Sequence, residues 1–270
     1  MEPRHPFDTA TTLEPVGAGE FRGHTAAGYS NMVGPFGGIT AATLVRAVLD
    51  DPRRLGEPVS ITVHYAGPIA DGPFTVRTHP TRTNRSTQHW SVELVQDDVV
   101  TTTAAAVTAV RRPTWSDSEV APPQAPPATE VAPTPPPEFP IWMGNYEQRF
   151  VAGAGPLAPG AGPQPDSVTT VWVRDSPPRP LDPTALTALC DVFIPRAMVR
   201  TGRLVLAGTV SLTVYFHAGA ELLAEVADRP VLGTARAQHF GAGFFDQAAT
   251  VWSPDGAVLA TSHQLVYFKD

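Results

Sequence analysis

The chain has 270 residues, 42% of them apolar, with 30 prolines, 22 glycines, one cysteine (Cys190) and a formal net charge of −7. A lone cysteine cannot close an intrachain disulfide, which excludes a disulfide scaffold; no apolar run approaches the roughly 20 residues of a membrane helix; and the acidic balance excludes a general nucleic-acid binder. What remains is a globular protein of one large domain or two ordinary ones, expected in the cytoplasm because Met1–Pro6 lacks the basic-then-apolar layout of a secretory signal.

In chain order, the first predicted element is a mostly apolar helix over residues 35–51, with Ile39, Ala42, Thr43, Arg46, Ala47 and Leu49 at helical spacing. Strands are predicted at 57–66, 73–83, 88–96 and 99–110. Proline then dominates, with 17 of the 30 between Pro113 and Pro180. Residues 113–138 therefore read as an extended or disordered linker between a first domain, 1–112, and a second, 139–270. The second domain carries strand-like pieces at 146–151 and 168–174, a helix predicted over 182–199, and strands predicted near 207–217, 221–238, 243–252 and 257–268.

The two flanks repeat each other. Val59-Ser60-Ile61-Thr62-Val63-His64-Tyr65 matches Val210-Ser211-Leu212-Thr213-Val214-Tyr215-Phe216 at an offset of 151, and the last strands match at 158. Seven residues inserted near Pro230 reconcile the offsets. Between Pro183 and Val199 the only charged residues are Asp191 and Arg196, so this helix is apolar nearly all round and is expected to be wrapped by a sheet.

The chain resembles the acyl-CoA thioesterase II group. In the first half the resemblance lies in Gly34-Pro35-Phe36-Gly37-Gly38 opening a helix and in Asn84-Arg85-Ser86 at a strand junction. In the second it lies in Leu189-Cys190-Asp191-Val192-Phe193-Ile194-Pro195, in the strand from Gly208 to His217, and in Thr261-Ser262-His263-Gln264. It implies an α+β double hotdog, two fused antiparallel sheets each wrapped on a helix. It also implies an acyl-CoA thioesterase of fatty acid metabolism, in which an Asp, a Thr and a Gln bind the attacking water; the matching positions are Asp191, Thr209 and Gln264. Gly37 and Gly38 would let the thioester approach the N–H groups opening the first helix, where partial positive charge can stabilise an oxyanion.

The residues carry readings of their own. A carboxylate in so apolar a helix needs hydrogen-bond partners, a raised pKa, or both; it could instead cap or bridge a helix end through Arg196 or another arginine. Helical spacing places Asp191 on a second packed surface, expected at the junction of the halves, and Pro195 should kink or end the helix. Gln264 interrupts an apolar strand face and must find partners there, either a bound water or the backbone. Strict alternation turns Thr209 away from the core to a solvated position unless a bulge near Gly208 re-aims it. The offsets set Thr40, Pro58 and Ala106 opposite the trio, so one active site per chain is expected.

The expected partner is a small-molecule acyl-CoA, with no nucleic acid and no membrane; CoA belongs to the substrate, so no cofactor is implied, and homo-oligomerisation stays open. No metal is expected, since the eight histidines show no HExxH-type spacing. Enoyl-thioester hydration wants an Asp and His pair not found near Asp191, serine hydrolysis wants a GxSxG elbow, and Cys190 reads as a packing residue. The reading from another class is a non-catalytic acyl-thioester-binding or assembly double hotdog.

Overall fold

The computed structural model describes residues 4–158, 160 and 162–269. The first half comprises α1 (Pro6–Ala10), β1 (Glu14–Gly17), β2 (Glu20–His24), α2 (Gly37–Asp50), β3 (Glu57–Tyr65), β4 (Pro73–Thr83), β5 (Thr87–Gln96) and β6 (Val99–Ala109). The second comprises β7 (Tyr146–Ala152), β8 (Thr169–Asp175), α3 (Pro183–Leu189), α4 (Arg196–Thr201), β9 (Leu206–Phe216), α5 (Ala220–Val226), β10 (Val231–Arg236), β11 (Phe240–Gly241), β12 (Phe244–Trp252) and β13 (Val258–Lys269).

All strands join one antiparallel sheet in the order β1-β2-β4-β5-β6-β3-β9-β13-β12-β10-β8-β7, with β11 pairing β12. The two halves of that order mirror each other about the β3–β9 pair. There Thr62 lies opposite Thr213, with their hydroxyl oxygens 3.0 Å apart. These are the residues the 151 offset equates, so the repeat axis passes between them. Each half curls over its own helix, giving the α+β double hotdog. The buried core runs through both halves, joining Leu44 and Ala41 of α2 to Leu186 and Ala185 of α3.

Three expectations need correction. The helix over 182–199 is two short ones: α3 ends at Leu189 and α4 begins after Pro195, with Cys190–Ile194 non-helical between them. Proline cannot donate its amide and clashes with the preceding turn; the equivalent position in the unbroken α2 is Leu44. The strand over 221–238 is a helix followed by a shorter strand. In α5 the buried pair Leu223 and Val226 is spaced three apart, a helical and not an alternating pattern. The connection holding α5 is seven residues longer than its first-half counterpart, the insertion that the offsets require. Finally, α1, β1 and β2 precede the first element read from the sequence; β1 is exposed throughout and carries no apolar alternation.

The proline-rich stretch runs along the β7–β8 margin. Thr134 bridges Gln148, Trp172 Nε1 donates to the Pro126 carbonyl at 2.9 Å, and Arg149 donates to the Val131 carbonyl at 2.6 Å. The edge strand is thereby covered.

Candidate active site

The chain break after α3 builds the site. Asp191 N–H reaches back three residues to the Ala188 carbonyl at 3.0 Å, a tightened last turn, after which the backbone leaves the helix. The Cys190 carbonyl loses its onward helical partner there, and two side chains from β13 replace it: Gln264 Nε2 donates at 3.3 Å and Ser262 Oγ at 3.4 Å. Gln264 is on the inner face of β13 and 4% exposed.

A bulge brings in Thr209. On β13 the partners of Leu265 and Val266 are Ser211 and Thr209, so Val210 is an extra residue in β9, and Thr209 turns to the inner face beside buried Val266. Its Oγ1 donates to Gln264 Oε1 at 3.3 Å. The same irregularity recurs in the first half, where Pro58 and Ser60 pair with Thr108 and Val107 and leave Val59 over. The repeat has copied the bulge, with proline in place of threonine.

Asp191 is 9% exposed and reaches the first half. A Cβ placed on Gly37 would stand 2.8 Å from Asp191 Oδ2, so only glycine lets the carboxylate approach the start of α2 this closely. Burial pushes the Asp191 pKa up to about 7, opposed by hydrogen bonding from the Gln264 amide and the Gly38 N–H. The positive end of the helix dipole acts in the same direction. The Gly38 amide is thus turned toward Asp191, a task other than the oxyanion contact expected of Gly37 and Gly38.

The bridge to Arg196 does not form. Arg196 is wholly buried; it donates to Gln247 Oε1 at 2.9 Å, the Ser167 carbonyl at 2.9 Å and Thr169 Oγ1 at 2.7 Å, and also to the Ile194 carbonyl. None of these is a carboxylate, and burial lowers its pKa to about 9. Cys190 is buried and its thiol is pushed up to about 12, which makes it a poor nucleophile at neutral pH.

The structure therefore brings Asp191, Thr209 and Gln264 into one linked group and sets Gly37 and Gly38 against it. Sequence reasoning missed Ser262, which shares the inner face with Gln264, and Tyr65, whose Oη donates to the Gly37 carbonyl at 2.8 Å. The inward alternation Ile61, Val63, Tyr65 along β3 was the available signal. Among the described residues no group of three or more His, Cys, Asp or Glu is placed to hold a metal ion, and no helix is long and apolar enough to cross a membrane.

Two helix-wrapped half-sheets sharing one polar group at their junction define a double hotdog protein. The chain belongs to the acyl-CoA thioesterase family: the family's N-terminal domain matches residues 26–111 and its C-terminal domain residues 120–268. Among solved structures it is similar to a conserved hot dog protein of unknown function from Alicyclobacillus acidocaldarius, 46% identical over 99% of each chain with a TM-score of 0.94. Its fold also matches a thioesterase II candidate from Thermobifida fusca YX, 22% identical over 100% of both chains with a TM-score of 0.84. An acyl-CoA thioesterase II, TesB2, from Mycobacterium marinum is 20% identical over 97% of this chain and 98% of that one, with a TM-score of 0.76. A search of curated proteins finds no match.

Proposed function

We propose that the protein hydrolyses an acyl-CoA thioester to a free carboxylic acid and CoA, with water activated by Asp191, Thr209 and Gln264. The observation that carries this reading is a buried carboxylate set against the start of α2 and beside a threonine and a glutamine that already share a hydrogen bond; burial pushes its pKa up to about 7. A base poised near the working pH combines adequate ionisation with proton affinity.

The chemistry follows from the donors and acceptors. A water donates one proton to the Asp191 carboxylate and its other to Thr209 Oγ1, and accepts the Gln264 N–H that otherwise reaches Asp191, the second N–H staying on the Cys190 carbonyl. Its oxygen attacks the thioester carbonyl carbon as Asp191 takes the first proton. The tetrahedral intermediate collapses with cleavage of the C–S bond and departure of CoA as thiolate, which needs little acid assistance because a thiol has a pKa near 8.5. The negative oxygen of that intermediate lies toward the α2 N-terminus, where Gly37 admits close approach. The first half supplies this helix end, and its Thr40, Pro58 and Ala106 offer no second trio, so each chain has one site. No cofactor takes part beyond the CoA of the substrate, and fatty acid metabolism is the setting.

The test is free-thiol release over a panel of acyl-CoAs with the wild type and Asp191→Asn. Release by the wild type that falls by about 10²–10⁴-fold in the variant supports the reading. Equal release by both removes Asp191 as the base, and none by either removes hydrolysis and leaves a non-catalytic acyl-thioester-binding protein.

A further inference from the structure

The half that lacks the trio contributes a side chain of its own to the junction. Tyr65 ends β3 and continues the inward face of Ile61 and Val63. The 151 offset sets it opposite Phe216, which is buried at the same place in the second half. The two rings occupy equivalent positions, yet only the first carries a hydroxyl, and that hydroxyl reaches the site: Tyr65 Oη donates to the Gly37 carbonyl at 2.8 Å. The point a Gly37 Cβ would occupy is 2.8 Å from Asp191 Oδ2 and 3.4 Å from Tyr65 Oη. Both oxygens thus border the gap left by the missing methyl.

We propose that Tyr65 is a positioning residue for Asp191: its hydroxyl fixes the Gly37 carbonyl and so holds the Gly38 N–H on the Asp191 carboxylate. A helix start is its least constrained turn, because its first four amides have no intrahelical acceptor. A donor anchored on the sheet removes that freedom where the carboxylate needs a fixed amide. The titratable groups that feel the Asp191 charge are Tyr65 on β3, Tyr146 on β7 and neighbouring Cys190, each pushed up, mainly by burial and further by that charge. No cationic side chain enters the balance at Asp191. The opposing influences are the Gln264 amide and the Gly38 N–H, so loosening Gly38 raises the Asp191 pKa.

The proposal rests on Asp191 as the base, and its test reads that carboxyl directly. Infrared titration of the wild type and Tyr65→Phe, with Asp191→Asn to assign the band, is expected to show the Asp191 pKa rising by about half to one unit in Tyr65→Phe. In thiol release the variant is expected to lose roughly three- to tenfold in kcat with KM changed less than about twofold, and the acid limb of its pH profile should move up with the carboxyl. An unchanged Asp191 pKa in a folded Tyr65→Phe protein overturns the proposal, as does a variant that cannot fold, since the hydroxyl would then serve the fold itself. Absence of thiol release by the wild type would refute the thioesterase reading and leave the infrared comparison intact.

Discussion

Asp191 is stabilised less well than its protonated form, and that imbalance makes two measurable predictions. Its pKa near 7 means that kcat/KM rises with pH, reaches half its plateau near 7 and stays flat above until another group titrates; a profile flat from pH 5 to 8 would remove Asp191 from the proton transfer. The second prediction concerns stability. A carboxyl whose folded pKa stands above its unfolded value near 3.9 destabilises the fold as pH rises through that interval, with the full penalty reached above 7. Asp191→Asn, which resembles the protonated acid, is therefore expected to raise the melting temperature at pH 8, by an amount that shrinks as pH falls and vanishes near 4. Asp175, also raised to about 7 by burial, adds a penalty of the same sign that the substitution at 191 leaves in place. At this scale much was legible: a carboxylate in an apolar helix and an amide on an apolar strand face advertise themselves. The Gly38 donor was not, because the contact spans two halves that no local pattern relates, and helical-wheel geometry did not apply to a residue just past the helix end.

Two local departures from regular structure assemble the site, a broken helix and a bulged strand. Proline at 195 foretold the break, but its start at Cys190 depends on the Gln264 and Ser262 donors that take over the Cys190 carbonyl. Strict alternation put Thr209 outward, and the extra residue Val210 reverses that. Thr209→Val removes the hydroxyl while keeping the shape, and turnover is expected to fall at least about tenfold, with the far-ultraviolet circular dichroism unchanged. Full activity in that variant would show that the threonine hydroxyl is dispensable. Gly37→Ala probes the other wall. Its methyl meets Asp191 Oδ2 at 2.8 Å, so turnover should drop although alanine is the better helix former.

The repeat was the most legible feature of the whole molecule, because duplicated strands keep their alternation and their offsets even as individual residues diverge. The structure converts the 151 offset into a physical axis at Thr62 and Thr213. What stayed hidden was what local pattern does not mark: the short exposed β1, which has no apolar alternation, and α5, which the second half alone carries between its first two mirrored strands. A core shared by α2 and α3 predicts one cooperative calorimetric transition for the chain; two separated transitions would mean that the halves unfold independently. The division of labour follows from the same architecture, with the second half supplying the polar trio and the first supplying the helix end it works against. The most direct test is a crystal structure of Asp191→Asn holding an intact acyl-CoA. A water should bridge residues 191, 209 and 264, with its oxygen about 3–3.5 Å from the thioester carbonyl carbon and the carbonyl oxygen toward Gly37 and Gly38. A thioester bound away from the junction of the halves, with no water between it and these side chains, would contradict the account.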